Sequence, residues 1–494
     1  MLPAGDLARV ESLLADGTDD ALRAAAARAV GLWKITSLGR RLDELAGDSP
    51  DELRQAAMEG LALLGGPASR ESLDRLTAPD RPIVARRMAV AALAGLDLKM
   101  AASRAVDVLA DTKIDADAAE IFRSFLERKA GPSALASALA DREVPADVAR
   151  IGIRAASISG REQPELVAAL TKAGALTAGP KQLTVEEMQQ MVQEVVDRGD
   201  PARGEDIFRR KELNCLKCHS IAGAGGQAGP DLVSIGASAQ IDYLIDSLLD
   251  PNKQVKEGFH SLVVATNDGR VLTGLKIRQT DGELVLRDTE NREVSIPLNS
   301  IEEQKTGGSI MPIGLTESLT TGELLDLVRF LSLLGKTDSP YVIGPARVAR
   351  RWEVLDPTPE MAQQIRHGGP SSVARDAARF RWVPATSRVN GEIPLSDFVP
   401  IKIGYQSSEL AFVQCQLDVT TPGKVKLLLN STAGLQLWID QTSVDPQSEN
   451  QLDLPACRHT LTVAVQIGQR HEGLRVELQD VPGSSAHVQF VLVK

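Results

Sequence analysis

The N-terminal third of the chain repeats itself. "LRAAAARAVGLW" begins at Leu22, "LRQAAMEGLALLGG" at Leu53 and "VARRMAVAALAGLD" at Val84, 31 residues apart each time. Weaker copies begin at Ala118 ("AAEIFRSFLERKAG") and Val148 ("VARIGIRAASISG"). Each copy is an Ala-rich amphipathic pattern, a break containing Gly or Asp, and a second pattern such as "ASRESLDRL" or "PELVAALTKAG". A single helix pair cannot bury its apolar stripe, whereas stacked pairs can, so the spacing predicts an α-solenoid over residues 1–178. No residue pattern with obvious chemistry occurs there, and the region reads as a scaffold or a binding surface.

A linker helix is expected over 179–197, from "TVEEMQQMVQEVVDRG". Within the next segment, 198–337, the period switches from helical to alternating at about 259–305. Asp-Gly at 268–269 and again at 281–282 supplies the positive φ that tight hairpins need, which predicts an inserted antiparallel meander of four or five strands. Helix returns in "TTGELLDLVRFLSLLG", with Thr320 and Glu323 spaced as a capping box and Gly335 as a stop. From 338 to 494 short alternating strands with Pro, Gly and Asn turns predict a jelly-roll-like β-sandwich. A chain of 494 residues suits about three such domains.

The chemistry is concentrated in "NCLKCHS", Asn214 to Ser220. A structural zinc site needs four ligands, usually including a second close Cys or His pair, and none is near. A thioredoxin-like dithiol belongs in a βαβ pattern, whereas the flanks here are helical and Gly-rich. Covalent haem needs two thiols spaced to add to its vinyl groups and a histidine for the iron, and CxxCH provides all three. Cys215, Cys218 and His219 are therefore expected to hold one covalent haem c, with His219 as axial ligand. "ARGEDIF" resembles the first helix of a class I cytochrome c. That resemblance implies that Gly204 allows a close helix contact and that Phe208 packs beneath the haem. It also implies a final helix, with Leu327, Phe330 and Leu331, crossing the first near Gly204. "GPDL" stands where that fold turns back under the histidine, so that the Pro230 carbonyl accepts the His219 Nδ1 proton.

The expected sixth ligand is Met311, in "GGSIMPIGL", between a Gly-Gly turn and a capped helix; His260 is the second candidate. His367, His459, His471 and His487 read as structural or exposed. "CLKCHSIAGAGGQAGPDLVSIG", "SLLDPNKQVKEGF", "TNDGRVLTG", "SIMPIGL" and "ELLDLVRFL" together resemble the haem-binding domain of planctomycete and verrucomicrobial proteins. In that family a β meander is inserted before the methionine loop. HEAT-like repeats often precede the domain, and longer members begin with a sugar-dehydrogenase-like β-propeller. The N-terminal repeats resemble the HEAT type. The C-terminal strands, with "GLQLWID", resemble a PA14-like or carbohydrate-binding sandwich.

These readings imply a c-type cytochrome with His/Met-ligated iron that transfers single electrons and is not catalytic alone. Its partners would be redox donor and acceptor proteins, with polysaccharide as a further candidate at the C-terminal domain. One alternative is the electron-accepting portion of a periplasmic sugar or alcohol dehydrogenase whose catalytic domain lies elsewhere. Another is a haem-containing glycan-binding or sensor protein, with Trp438 either a sugar platform or core. The formal charge of −11 argues against nucleic acid and anionic membranes as partners, and no apolar run is long enough to span a bilayer. Haem c is attached outside the inner membrane, so a periplasmic or otherwise exported location is expected. "MLPAGDLARVESLL" shows no export signal, which is consistent with an N-terminally truncated fragment. Strand phase points both Cys415 and Cys457 inward, either bridged or as buried thiols.

Overall fold

The computed structural model describes residues 8–111, 118–158, 163–176, 182–289, 291–403 and 408–491. The chain is multidomain, helical in its N-terminal region and antiparallel β in its C-terminal region. Its described residues pack as two units: one from Met1–Pro180 with Gly314–Leu324, the other from Lys181–Ile313 with Leu325–Lys494. The expected boundary at 178–179 lies outside the described residues. No helix among them is long and apolar enough to cross a membrane.

In the first unit, α1 (Asp20–Leu32), α2 (Asp51–Leu64) and α3 (Ile83–Leu93) each open a helix pair. Ala is a strong helix former, and small residues at helical spacing let neighbouring backbones approach closely. Ala24, Ala27 and Val30 on α1 are buried, as are Ala56, Ala57 and Leu61 on α2 and Ala85, Ala89 and Leu93 on α3. The α1–α2 contact is closest at Gly31 and Gly60: a Cβ at either would overlap a carbonyl oxygen of the facing helix. Ion pairs recur near the sequence period: Arg28–Glu59, Asp43–Arg75 and Asp74–Arg104, each 2.7 Å and separated by 31, 32 and 30 residues. Partly exposed pairs of this kind contribute about 0–1 kcal/mol each, so they fix register more than they stabilise. Gly314–Leu324 joins this unit through Asp147, which accepts from the Thr321 N–H at 3.0 Å, and through the Arg154–Glu323 pair at 2.7 Å. The capping box forms as the spacing suggests. Glu323 Oε2 accepts the Thr320 N–H at 2.9 Å and Thr320 Oγ1 accepts the Glu323 N–H at 3.2 Å.

The second unit contains the CxxCH segment, a five-stranded sheet and the C-terminal β region. Asp200 caps α4 (Pro201–Phe208) by accepting the N–H groups of Ala202 and Arg203, and Pro201 fits the first turn because it has no N–H to satisfy. The five strands are β1 (His260–Thr266), β2 (Val271–Gln279), β3 (Glu283–Arg287), β4 (Glu293–Pro297) and β5 (Ile301–Ser309). The first four form a meander; the fifth returns to pair with β1, giving the order β4-β3-β2-β1-β5. Gly269, at φ +82°, makes the first turn. The small core of this sheet is Val264, Leu284, Leu286 and Ile296.

Beyond α5 (Thr321–Leu333), an eight-stranded and a four-stranded antiparallel sheet share one hydrophobic core. The larger includes β6 (Arg351–Leu355), β7 (Ser408–Thr421), β8 (Leu435–Ile439) and β9 (Arg458–Gln466). Alternation along β7 and β9 buries Val413, Cys415, Leu417, Leu461, Val463 and Val465. One expectation is corrected here and one open alternative is decided. Cys457 is exposed in the turn before β9, so it neither bridges to Cys415 nor lies in the core; only Cys415 is buried. Strand phase misled because β9 begins one residue later, at Arg458. Trp438 is buried on the other face of the sheet with Phe412, Ile365 and Val373, so it is not a sugar-stacking surface. Its cover is a helix, Pro359–Gly368, within a region that read as strands only. Thr358 caps that helix, and Gly369 at φ +72° follows it.

The α4 helix is tied to the C-terminal β region by charge. Arg209 pairs with Asp397 at 2.8 Å and Asp206 with Arg388 at 2.6 Å. The buried Glu205 carboxylate accepts the Val389 N–H at 2.7 Å. Burial pushes the Glu205 carboxyl above its usual range, and the Val389 bond and nearby Arg209 and Arg388 only partly offset this. A carboxyl whose pKa is raised by folding destabilises the native state above its unfolded pKa of about 4.3 and has no such effect well below it. Glu205→Gln keeps the acceptor and removes the charge. Its melting temperature is expected to exceed that of the unmodified chain at pH 7, with the gap closing as pH falls below 4. Equal melting temperatures at pH 7 would mean the arginines already compensate fully.

Candidate functional site

The CxxCH segment is held by its own backbone before any cofactor is considered. Asn214 adopts a left-handed conformation, φ +55°, which short polar side chains tolerate, and launches a single helical turn, Cys215–Cys218. The His219 N–H donates to the Cys215 carbonyl at 2.8 Å and closes that turn. Positions i and i+3 share a face, so the two thiols lie side by side, with Leu216 and Lys217 on the other face. The chain then folds back in a tight hairpin, pairing Ser220–Ile221 with Ala224–Gly225. The Gly226 N–H reaches the Leu216 carbonyl at 2.9 Å, and the Gly229 N–H reaches that of Cys218 at 2.8 Å.

This returning loop places the Pro230 carbonyl 3.0 Å from His219 Nδ1. A carbonyl can only accept, so the proton sits on Nδ1, and in the neutral ring Nε2 carries the lone pair. Burial lowers the pKa of His219 and favours the neutral ring, and the Pro230 bond and Asp231 only partly oppose this. Gly229 lies against the ring: a Cβ there would stand 2.7, 2.8 and 3.1 Å from Cε1, Nδ1 and Nε2.

Two further residues, not singled out by the motif, fix the loop. Asp231 accepts from Ser220 Oγ (2.9 Å) and from the N–H groups of Ala222 (3.1 Å), Gly223 (2.7 Å) and Val233 (2.9 Å). Asn291, at the tip of the β3–β4 hairpin, accepts the Gln227 N–H at 2.7 Å and donates to the Lys217 carbonyl. The inserted sheet thus clamps the cysteine turn. Asp231 was visible in the sequence as the Asp of "GPDL", whereas nothing local marks Asn291.

Met311 is half-buried just beyond β5, and its N–H donates to Ser309 Oγ at 3.1 Å. Asn252 secures this turn by accepting the Ser309 N–H at 2.9 Å. His260, exposed at the start of β1, is the register partner of Ser309. The two sixth-ligand candidates therefore stand at the same end of the sheet.

The donor set can be weighed against three chemistries. Among the described residues no group of three His, Cys, Asp or Glu side chains converges as a metal site of the zinc type requires. Burial pushes the Cys215 thiol up to about 12, opposite to the lowered pKa of a redox dithiol. Two neighbouring thiols and an oriented imidazole lone pair fit covalent haem. A cleft of about 940 Å³ opens beside the turn, lined by Leu216, Lys217, Asn291, Ala385 and Phe398 among others. Cys215, Cys218 and His219 do not line it.

No protein-family model matches this chain, and neither does any curated protein. Among solved structures, a Bacillus thuringiensis Cry1Da tryptic core variant aligns with 98% of this chain and 91% of its own, at 10% identity and a TM-score of 0.13. A score that low carries nothing over to this protein.

Proposed function

We propose that this chain is a c-type cytochrome: Cys215 and Cys218 hold one covalent haem c, His219 ligates its iron, and Met311 is the sixth ligand. The observation that carries the reading is the 3.0 Å bond from His219 Nδ1 to the Pro230 carbonyl, which fixes the tautomer a ligating imidazole needs. The haem, when bound, supplies an Fe(III)/Fe(II) couple, and a thioether sixth ligand favours the reduced state. The chain's own residues supply orientation. Pro230 and Gly229 set the ring, while Asp231 and Asn291 hold the loop so that Nε2 and both sulfurs are presented with little rearrangement.

In this reading the protein carries single electrons between a donor and an acceptor protein and works outside the inner membrane, where haem c is attached. The N-terminal helix pairs are a HEAT-like solenoid, supported by ion pairs that recur near the sequence period. The two C-terminal sheets around one core are a jelly-roll-like sandwich. Both would dock the haem module to its partners or to a polysaccharide.

The test is an absorption spectrum of protein matured with a haem-attachment system, oxidised and then reduced, with Met311→Ala beside it. Low-spin c-type bands with a weak far-red sulfur-to-iron band that disappears in the variant are expected. Unchanged bands in Met311→Ala would transfer the sixth position to another residue, His260 first. A high-spin spectrum in the unmodified protein that binds carbon monoxide readily would replace electron carriage with catalysis or gas sensing.

A further inference from the structure

The C-terminal β region carries a second constellation, unrelated to the CxxCH segment. Asp440 sits in the tight turn after β8 at φ +55°. Its backbone N–H donates to the Thr460 carbonyl at 2.8 Å, and its Oδ1 accepts the Thr460 N–H at 2.9 Å. Those bonds aim the other carboxylate oxygen, Oδ2, at His459 Nδ1, 2.8 Å away. His459 is buried, 5% exposed, in phase with Leu461 and Val463 on β9. Its Nε2 lies 3.3 Å from the sulfur of exposed Cys457 and 3.0 Å from the Pro455 carbonyl. The Cys457 backbone is itself fixed, since its carbonyl accepts the Val419 N–H at 3.1 Å.

Proton placement follows from the acceptors. The Asp440 carboxylate requires a proton on Nδ1. The Pro455 carbonyl, which can only accept, is satisfied by a proton on Nε2 as well. The ring is thus suited to carry a proton on both nitrogens, and its Nε2–H faces the Cys457 sulfur. Burial alone would lower the His459 pKa, but the bonds to Asp440 and Pro455 outweigh it and the net shift is upward. Across the ladder His459 faces Leu417. Arg458 and Asp418 are register partners on the opposite face, and Asp440 is the charged group acting on the ring.

We propose that Cys457, His459 and Asp440 form an activated-thiol site at which Cys457 exchanges with a small organic disulfide. The Cys457 thiolate attacks one sulfur of R–S–S–R; a new Cys457–S–S–R bond forms as the old S–S bond breaks, and its electron pair leaves on RS⁻. The imidazolium gives up the thiol's original proton, so the products are the mixed disulfide and RSH. The organic disulfide is the oxidant, and it is reduced by the same pair of electrons that Cys457 loses. His459 and Asp440 are positioning residues that hold the proton, and Cys457 is the nucleophile.

The test uses the full chain with glutathione disulfide between pH 5 and 9, with modification followed at each cysteine by mass spectrometry. At pH 6 the folded chain is expected to modify Cys457 roughly tenfold faster than the urea-unfolded chain, whose thiol titrates near the ordinary value of about 8.5. Buried Cys415 serves as the internal unreactive control. His459→Gln is expected to bring the Cys457 rate down to the unfolded value, and Asp440→Asn to move the pH midpoint upward. A folded-chain rate at pH 6 no higher than the unfolded one overturns the proposal, as does an unchanged rate in folded His459→Gln. If His459→Gln fails to fold, the folded-versus-unfolded comparison and the Asp440→Asn midpoint decide, and an Asp440→Asn midpoint that does not move counts against it.

Discussion

Gly204→Val is expected to lower the stability of the second unit by about 3 kcal/mol or more, with Gly204→Ala costing about 1–3 kcal/mol. A Cβ at Gly204 would overlap the Asp326 carbonyl oxygen on α5 and come within 2.7 Å of Phe330 Cβ. The neighbours that must give are the backbone of one helix and a buried ring, neither of which can swing away. The crossing is also locked from both sides. The Asp326 carboxylate accepts from the Asp200 N–H at 2.7 Å and from Arg203 Nε at 2.9 Å. Phe208 and Phe330 pack with ring centroids 5.8 Å apart, and Phe330 meets Tyr341 edge-on at 5.2 Å. Separating the helices by even an ångström loosens all of these contacts together. Calorimetric melting of the unit should fall in the order Gly, Ala, Val. An unchanged midpoint for valine would show that the helices can part without loss, and the close crossing would then not be what holds this segment.

Gly229→Ala is expected to unseat the His219 ring without unfolding the chain. The new methyl would stand 2.7 to 3.1 Å from three ring atoms. Neither partner can retreat easily. The Gly229 N–H is bound to the Cys218 carbonyl at 2.8 Å, so moving residue 229 disturbs the cysteine turn. Rotating the ring instead breaks its bond to Pro230. Losing such an orienting partner typically weakens a metal ligand about 10–100-fold. In haem-matured protein the spectrum should move from low-spin toward a high-spin, carbon-monoxide-reactive form. In protein without haem, the His219 Nδ1–H resonance should move toward that of a solvent-exposed ring. If neither changes, the ring is held by something other than the Gly229 face.

These two glycines show how much could be read from the chain alone. The first was expected to sit at a helix crossing and does, in close contact with Asp326 and Phe330. The second opens "GPDL", and its neighbours along the chain do not mark it, because contact with a ring ten residues back depends on how the loop folds. Legibility was good for several signals that lie within a few residues, although Gly282 of the second Asp-Gly does not take the positive φ expected of it. Thr320 with Glu323, Gly269 in its turn and the alternation of β7 and β9 are of this kind. It failed at Cys457, where strand phase was extended one residue past the true start of β9. Trp438 was open between core and sugar platform, and the covering helix places it in the core.

The sequence by itself determined the local vocabulary: Ala-rich helices recurring every 31 residues, a change to period two near residue 259, and two thiols and an imidazole in five consecutive positions. Each follows from backbone geometry or side-chain chemistry acting over one or two turns. Tertiary structure alone decided that β5 returns beside β1, that Asn291 grips a carbonyl 74 residues earlier, and that Asp440 meets His459, 19 positions further along the chain. Such contacts arise only when distant segments are brought together by burial of their apolar faces, and the residues that then touch carry no mark of it in their neighbours along the chain.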